Sequence, residues 1–185
     1  MSKKIRIGLI IISLLTVYPA INAQELWQNT RVGMTVAEVK ALYPHALDIE
    51  KEPSYVIVDA EDHEKILFLG LLIIEKYQIM NHLFDIHFIF TAEEKELVEV
   101  RLICNSDSAR RDGHIIFYGL YDEFTNKYGK TISDERTRAT GELEGRWHTY
   151  WQSGKTIIYI SYWYLQQQNY NWGSLSISYY EELTE

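Results

Sequence analysis

The residues most able to do chemistry in this 185-residue chain are six histidines, one cysteine and 26 acidic side chains. Such groups bind a metal when three or four of them converge. His82 and His87 are five apart, which places them on opposite faces of a strand. An acidic run around Asp62 lacks the glycine and spacing of a calcium loop. We therefore predict no metal and no cofactor, and a solvated acidic loop at this run, which comprises Asp59, Glu61, Asp62, His63 and Glu64.

No motif indicates nucleophilic catalysis, since the chain has no Gly-x-Ser-x-Gly turn. Cys104 ends an alternating apolar run, so we interpret it as a small core residue. A lone cysteine also excludes an internal disulfide. The serines lie in strand-like segments without a nearby histidine, and His148 is the one exception. Adjacent acids such as Asp122 and Glu123 are typical of a solvated surface. We predict a protein that is not an enzyme, with no catalytic residue.

An uncharged aromatic segment is the unusual feature of the sequence. Between Thr156 and Tyr180, 25 residues pass without Asp, Glu, Lys, Arg or His, and eleven aromatic residues lie between Trp147 and Tyr180. An aromatic core accounts for some of them. The alternation of each strand separates those that face the core from those that face the other side.

The register of this segment follows from a predicted two-residue turn at Ser153-Gly154, which pairs Gln152 with Lys155. One face then carries the more apolar side chains and should receive a helix. The other face is rich in Tyr, Trp and Ser, a composition typical of adaptable recognition surfaces and of interface cores. We predict that this face binds a partner through His148, Tyr150, Tyr159, Ser161, Trp163, Ser176, Ser178 and Tyr180.

Two alternatives remain open for the same face. Residues 24–104 could fold back over it and bury it within the monomer, or a homodimer could cover it. An uncovered aromatic sheet surface is prone to aggregation. A partner, residues 24–104 or a second copy of the chain would each cover it.

The elements that position these residues follow a repeated order. Thr35 and Glu38 form a capping box that begins a short helix, and Pro44 ends it. Three strand-like runs follow, over 66–74, 84–90 and 98–104. A second helix over about 113–128 ends at Gly129. A charged loop over 131–145 precedes strand-like runs at 146–152, 155–164 and 174–180, with a polar loop at 166–171.

This order predicts an α+β protein of two tandem halves, each a helix on a three-stranded antiparallel sheet. Residues 32–104 and 109–181 have the same length, which indicates a structural duplication. We place the first half at 24–105 and the second at 106–185, either as two units or as one continuous domain.

A short motif gives a resemblance to a known group. Gly33-Met34-Thr35, Glu38-Val39, Leu42 and Pro44 resemble the opening of the beta-lactamase-inhibitor-protein-like and SmpA/OmlA outer-membrane-assembly group. The resemblance implies an exported bacterial module with helices packed on an antiparallel sheet. This chain departs from the group in having neither a lipid-accepting cysteine nor a disulfide pair, so the resemblance implies no particular partner.

The first 23 residues predict where the protein acts. Basic Lys3, Lys4 and Arg6 precede the apolar run from Ile7 to Tyr18, which is too short to span a membrane, and small residues precede Gln24. We predict a signal peptide cleaved after Ala23 and a periplasmic or secreted protein with no membrane anchor.

The charge and composition of the remaining chain restrict its partners. Ordinary globular composition, with 46% hydrophobic and 24% charged residues, excludes a disordered class. After cleavage 15 basic residues stand against 26 acidic ones, a net charge of −11 that argues against nucleic acid and favours a basic protein partner. We predict a protein-binding module of the inhibitor, immunity or envelope-assembly type, with carbohydrate binding as the alternative and a hydrolase third.

Overall fold

The computed structural model describes residues 26–49, 54–58, 65–138, 143–167 and 170–181. The predicted signal peptide and the acidic run around Asp62 lie outside these residues. Within the described residues the chain forms two helices and nine strands: α1 (Val36–Leu42), β1 (Leu47–Asp48), β2 (Ser54–Val58), β3 (Lys65–Ile79), β4 (His82–Thr91), β5 (Leu97–Cys104), α2 (Ser106–Tyr128), β6 (Ser133–Arg138), β7 (Leu143–Ser153), β8 (Thr156–Gln167) and β9 (Tyr170–Glu181).

All nine strands form one antiparallel sheet, in the order β1-β3-β4-β5-β9-β8-β7-β6, with β2 also paired to β3. The predicted α+β class is therefore confirmed. The predicted order of one helix and three strands is matched by α1 with β3–β5 and by α2 with β7–β9. The remaining strands β1, β2 and β6 were not predicted. The two groups of three strands meet where β5 pairs with β9, from Glu99–Tyr180 to Ile103–Ser176.

The helices cover one face of this sheet. Along β4, Phe84, Ile86, Phe88 and Phe90 are fully buried, as the alternation predicted. The α1 side packs on them through Tyr43, whose ring lies 5.3 Å from that of Phe88. The α2 side buries the residues spaced by four along the helix, which are Ile116, Leu120 and Phe124. Cys104 is buried in the same core as a free thiol, as predicted.

Two close contacts set α2 against the second group of strands. A Cβ on Gly173 of β9 would lie 2.6 Å from the carbonyl oxygen of Ala109, and one on Gly113 would lie 2.2 Å from the Tyr162 ring. Glycine at these positions lets the helix approach this side of the sheet closely.

The first predicted strand, 66–74, extends as β3 to Ile79. Three other predicted boundaries are wrong, each for a local reason. Helix α2 begins at Ser106 rather than near 113, because the Asn105 side chain accepts from the Asp107 amide and caps a polar first turn. The predicted charged loop at 131–145 contains β6, whose charges suit a sheet edge exposed to water. The predicted loop at 166–171 is shorter, since β8 runs to Gln167 and β9 begins at Tyr170.

Candidate functional site

The side of the sheet opposite the helices, here called the open face, carries all eight residues predicted to bind a partner. Cross-strand pairs fix their positions: Tyr150 lies opposite Tyr159, which lies opposite Ser178. The next row pairs His148 with Ser161 and Ser161 with Ser176. Trp163 pairs with Ser174, and Tyr180 pairs with Ile157. Because successive side chains of a strand point to opposite faces, these residues lie on the side of the sheet opposite to the buried Thr149, Ile158, Ile160 and Ile177.

The predicted register was wrong by two residues, although the predicted faces were right. The turn residues are Gly154 and Lys155, so Ser153 pairs with Thr156 and Gln152 with Ile157. Gly154 takes a positive φ of 59°, which the first position of a type II′ turn requires. Because a shift of two residues preserves the alternation, every side chain keeps the face that the sequence assigned to it.

Four of the rings on the open face touch one another, and we call His148, Tyr150, Tyr159 and Trp163 the aromatic cluster. Tyr150 and Tyr159 stack with ring centroids 4.5 Å apart and planes inclined by 17°. His148 stacks with Tyr159 at 5.6 Å and 7°. Trp163 meets His148 edge-on at 6.2 Å. These contacts fix the orientation of the rings relative to one another.

A hydrogen bond joins His148 Nδ1 to the Tyr159 hydroxyl. Burial lowers the pKa of His148, nearby Arg146 lowers it further, and Glu135 opposes both. Burial raises the pKa of Tyr159 to about 12. At neutral pH the imidazole is therefore uncharged and the tyrosine hydroxyl is protonated. Nδ1 accepts from this hydroxyl in one imidazole tautomer and donates to its oxygen in the other.

The aromatic cluster has a charged rim at one end. The Arg146 guanidinium lies over the Trp163 ring, 4.2 Å from the centroid, a cation–π contact. The same guanidinium lies 3.5 Å from the Glu144 carboxylate. Glu135 on β6 is exposed and lies directly opposite His148.

Across β9 the open face continues onto the first group of strands. Arg101 of β5 lies opposite Ser178 and makes two hydrogen bonds of 2.7 and 2.8 Å with the Glu99 carboxylate. His87 lies beyond Arg101, and burial lowers its pKa. The serines of β9 thus separate the aromatic cluster from an ion pair that no sequence motif had singled out.

Sequence reasoning also missed Trp172 at the far end of β9. Trp172 pairs with Leu165, and alternation from Ser174 puts it on the open face, where 41% of its surface is exposed. The strand was predicted to begin at 174, so the residue two positions earlier was not considered. The same period of two would have found it.

The structure bears on whether residues 24–104 fold back over the aromatic cluster. Among the described residues, this part of the chain extends the sheet through β5 instead, and its α1 packs on the helix side. Trp163 is 38% exposed, and of the eight predicted residues only Ser178 is buried. The described part of the first half therefore does not bury this face.

Three residues in one row of the open face are of the types found in a hydrolase triad. Glu135, His148 and Ser161 occupy directly opposed positions on β6, β7 and β8. A triad needs an acid on one imidazole nitrogen and the nucleophile on the other. Here Nδ1 binds the Tyr159 hydroxyl instead of Glu135. The row therefore lacks the hydrogen-bond order that activates a serine.

The other reactive groups among the described residues are Cys104 and the potential metal ligands. Burial raises the pKa of the Cys104 thiol to about 11, so it stays protonated and unreactive at neutral pH. In the part of the chain that the structure describes, no three His, Cys, Asp or Glu side chains converge to hold a metal ion. No helix among the described residues is long and apolar enough to cross a membrane.

Comparison with known proteins adds no relative. No protein-family model matches the chain, and searches of curated proteins and of solved structures also give no match. The resemblance carried by Gly33-Met34-Thr35 stays a prediction.

Proposed function

We propose that this protein is an exported, non-enzymatic module that binds another protein through the open face of its sheet. The observation that carries the proposal is the aromatic cluster, whose oriented and partly exposed rings lie on β7 and β8. Beside it, the segment from Thr156 to Tyr180 contains no charged residue. Tyrosine and tryptophan give large contact areas at low entropic cost, and their hydroxyl and indole groups add directional hydrogen bonds.

Charge favours a basic partner. The chain carries a net charge of −8, or −11 without residues 1–23. On the open face both arginines, Arg101 and Arg146, are paired to carboxylates, while Glu135 stays exposed beside the aromatic cluster. A basic surface on the partner would be steered toward this side and would contact Glu135.

Carbohydrate binding is the second candidate, and the ring geometry favours it less. A sugar ring stacks on an aromatic face that is free of other contacts. Tyr150, Tyr159 and His148 already stack on one another, and Trp163 contacts Arg146 and the edge of His148. The edges and hydroxyl groups left for a ligand suit the polar groups of a polypeptide better.

The proposal includes export and an origin by duplication. Export rests on the signal-like segment over residues 1–23. Duplication is supported by the mirrored order of β3-β4-β5 and β9-β8-β7 about the central pair, each group preceded in the chain by a helix. The resemblance to the inhibitor-like and outer-membrane-assembly group agrees with both.

Intact mass of protein from a bacterial periplasm should give a chain beginning at Gln24, and a membrane-bound chain that retains residues 1–23 would contradict export.

The decisive experiment uses Y159A/W163A, which truncates the centre of the aromatic cluster. Purified protein immobilised on beads is exposed to periplasmic extract and eluted with salt. Because hot-spot residues each contribute heavily, we expect the double variant to lose about 2 kcal/mol or more of binding, which is about thirtyfold in affinity. Its melting temperature should change little, because Trp163 is exposed, Tyr159 is half-buried, and neither side chain belongs to the buried core.

A matched control separates this result from general damage. I115A removes apolar surface from the exposed side of α2, where 59% of Ile115 is accessible, and should retain binding. Stability loss without a separable binding defect in Y159A/W163A would reject the proposal. Capture by an immobilised neutral polysaccharide, with no protein retained, would favour the carbohydrate alternative.

A further inference from the structure

Two carboxylates on the open face, Glu135 and Asp85, make no ion pair within the part of the chain that the structure describes. Glu135 on β6 is exposed. Asp85 on β4 alternates with the buried Phe84 and Ile86, so it faces the open side, where it is partly exposed and accepts the Lys76 amide at 3.0 Å. Both arginines of this face are paired with other carboxylates. Glu135 and Asp85 thus leave two negative charges open to a cation from outside.

These two carboxylates lie at opposite ends of one row of cross-strand neighbours. The row crosses β6, β7, β8, β9, β5 and β4, and between its two ends it contains His148, Ser161, Ser176 and Ile103. Its six strands are separated by five spacings of about 4.8 Å each, which puts the ends roughly 24 Å apart along the sheet. An extended chain advances about 3.3 Å per residue, so about six to eight residues span this distance.

Small side chains in the middle of this row make it a trough between two rows of larger ones. Ser161 and Ser176 are both partly exposed. The neighbouring row on one side carries Tyr159, on which the His148 ring stacks, and the row on the other side carries Trp163, which is 38% exposed. A peptide lying along the trough would contact these rings at its sides. Its backbone groups would meet the serine hydroxyls, which both donate and accept hydrogen bonds.

We infer that this trough binds an extended, basic segment of the partner protein, in which one Lys or Arg side chain pairs with Glu135 and a second pairs with Asp85. The inference rests on the proposed function and specifies which part of the partner is bound. Complementary charge favours this occupant, because carboxylates at both ends would repel an acidic peptide and would gain nothing from a neutral sugar. A second copy of this chain is a poorer occupant, since its net charge of −8 has the same sign as the two carboxylates.

The test uses a phage-displayed library of random peptides of about twelve residues, which is long enough to span the trough. Peptides selected on the purified protein should carry two basic residues about six to eight positions apart. Their affinity, measured by fluorescence anisotropy, should fall about three- to fivefold in E135Q or D85N and about tenfold in E135Q/D85N. Both substitutions keep a side-chain oxygen that accepts hydrogen bonds, so D85N retains the acceptor for the Lys76 amide and should fold.

A matched control separates the trough from the net charge of the chain. D122N/E123Q removes the same two charges from exposed positions of α2 and should bind the selected peptides like wild type. Added salt should weaken binding to wild type more than binding to E135Q/D85N, because exposed ion pairs are screened. Equal affinity of wild type and E135Q/D85N, or selected peptides without basic residues, would overturn the inference.

The outcomes distinguish this inference from the proposed function. A partner from periplasmic extract that is lost in Y159A/W163A but binds equally to wild type and E135Q/D85N would reject the basic segment and leave the protein-binding role intact. Absence of any ligand for wild type in both the extract and the library would reject the binding role and the inference together.

Discussion

Individual side chains determine where a helix begins and how the stability of the protein depends on pH. Thr35 accepts from the Glu38 amide, and the Glu38 carboxylate accepts from the Thr35 amide at 2.8 Å. The bond from the Thr35 amide and a second one from the Thr35 hydroxyl to the same carboxylate lower the pKa of the Glu38 carboxyl. This pair was fully predictable, because a capping box depends only on residue types three positions apart.

Removal of the Thr35 hydroxyl should destabilise the protein through the loss of this cap. T35A is expected to lower the free energy of unfolding by about 1 kcal/mol, measured by urea denaturation. T35S keeps the hydroxyl and should stay within a few tenths of wild type. Equal stabilities of T35A and T35S would show that the capping box contributes nothing.

Two histidines on the open face should make stability depend on pH. Burial lowers the pKa of both His87 and His148 below the ordinary value of 6.5, so the unfolded chain binds more protons than the folded one near that pH. Their contribution to stability is therefore fully present above pH 6.5 and is lost as the pH falls below it. Urea denaturation at about pH 7.5 and about pH 5 should show a smaller decrease for H87Q/H148Q than for wild type. An identical decrease would exclude these histidines as its source.

At the scale of elements, the sequence predicted which face of the sheet each side chain occupies, but it did not predict which residues pair across neighbouring strands. The period of two along β4, β7, β8 and β9 assigned side chains to the right faces. The pairing of Gln152 depended on which residues form the turn, and Gly154-Lys155 satisfies the positive φ at the first turn position as Ser153-Gly154 would not. Strand β6 was missed because Ser133–Arg138 is polar on both sides, and only an edge position tolerates that pattern.

The contact between α2 and β9 is too close to accommodate an added methyl group. In G173A the new Cβ would overlap backbone atoms of Ala109 at 2.6 Å, and backbone cannot swing aside as a side chain does. We expect a loss of about 1–3 kcal/mol in the free energy of unfolding. S176A lies on the same strand but faces the open side, so it should cost much less. Similar losses in both variants would contradict the tight contact.

At the scale of the whole molecule, the two groups of strands share one sheet and one core. Backbone pairs from Glu99–Tyr180 to Ile103–Ser176 join them, and Trp27, Val100 and Ile177 belong to the same cluster of buried residues. The equal lengths of the two halves were readable from the sequence, but the way the halves meet was not, because the pairing of β5 with β9 joins strands far apart in the chain. The ion pair of Glu99 and Arg101 came to lie beside Ser178 for the same reason.

This shared sheet predicts a single unfolding transition. Because neither group can separate without breaking the β5–β9 pairs and exposing a common core, the groups should unfold together. Circular dichroism and the fluorescence of Trp27, isolated by comparing wild type with W27F, should give coincident urea curves. Two separated transitions would mean that the groups are independently stable.

The position of β9 between β5 and β8 also sets the time at which folding can finish. Its partner β5 precedes it in the chain by a helix and three strands, so the pairing of β5 with β9 closes a long loop. Because closing this loop costs conformational entropy, the pairing forms late in folding. While a ribosome is still synthesising β7 and β8, Val100 and Leu102 have no neighbour on that edge. The nascent chain therefore carries an unpaired strand edge until β9 emerges, and the shared sheet can be completed only then.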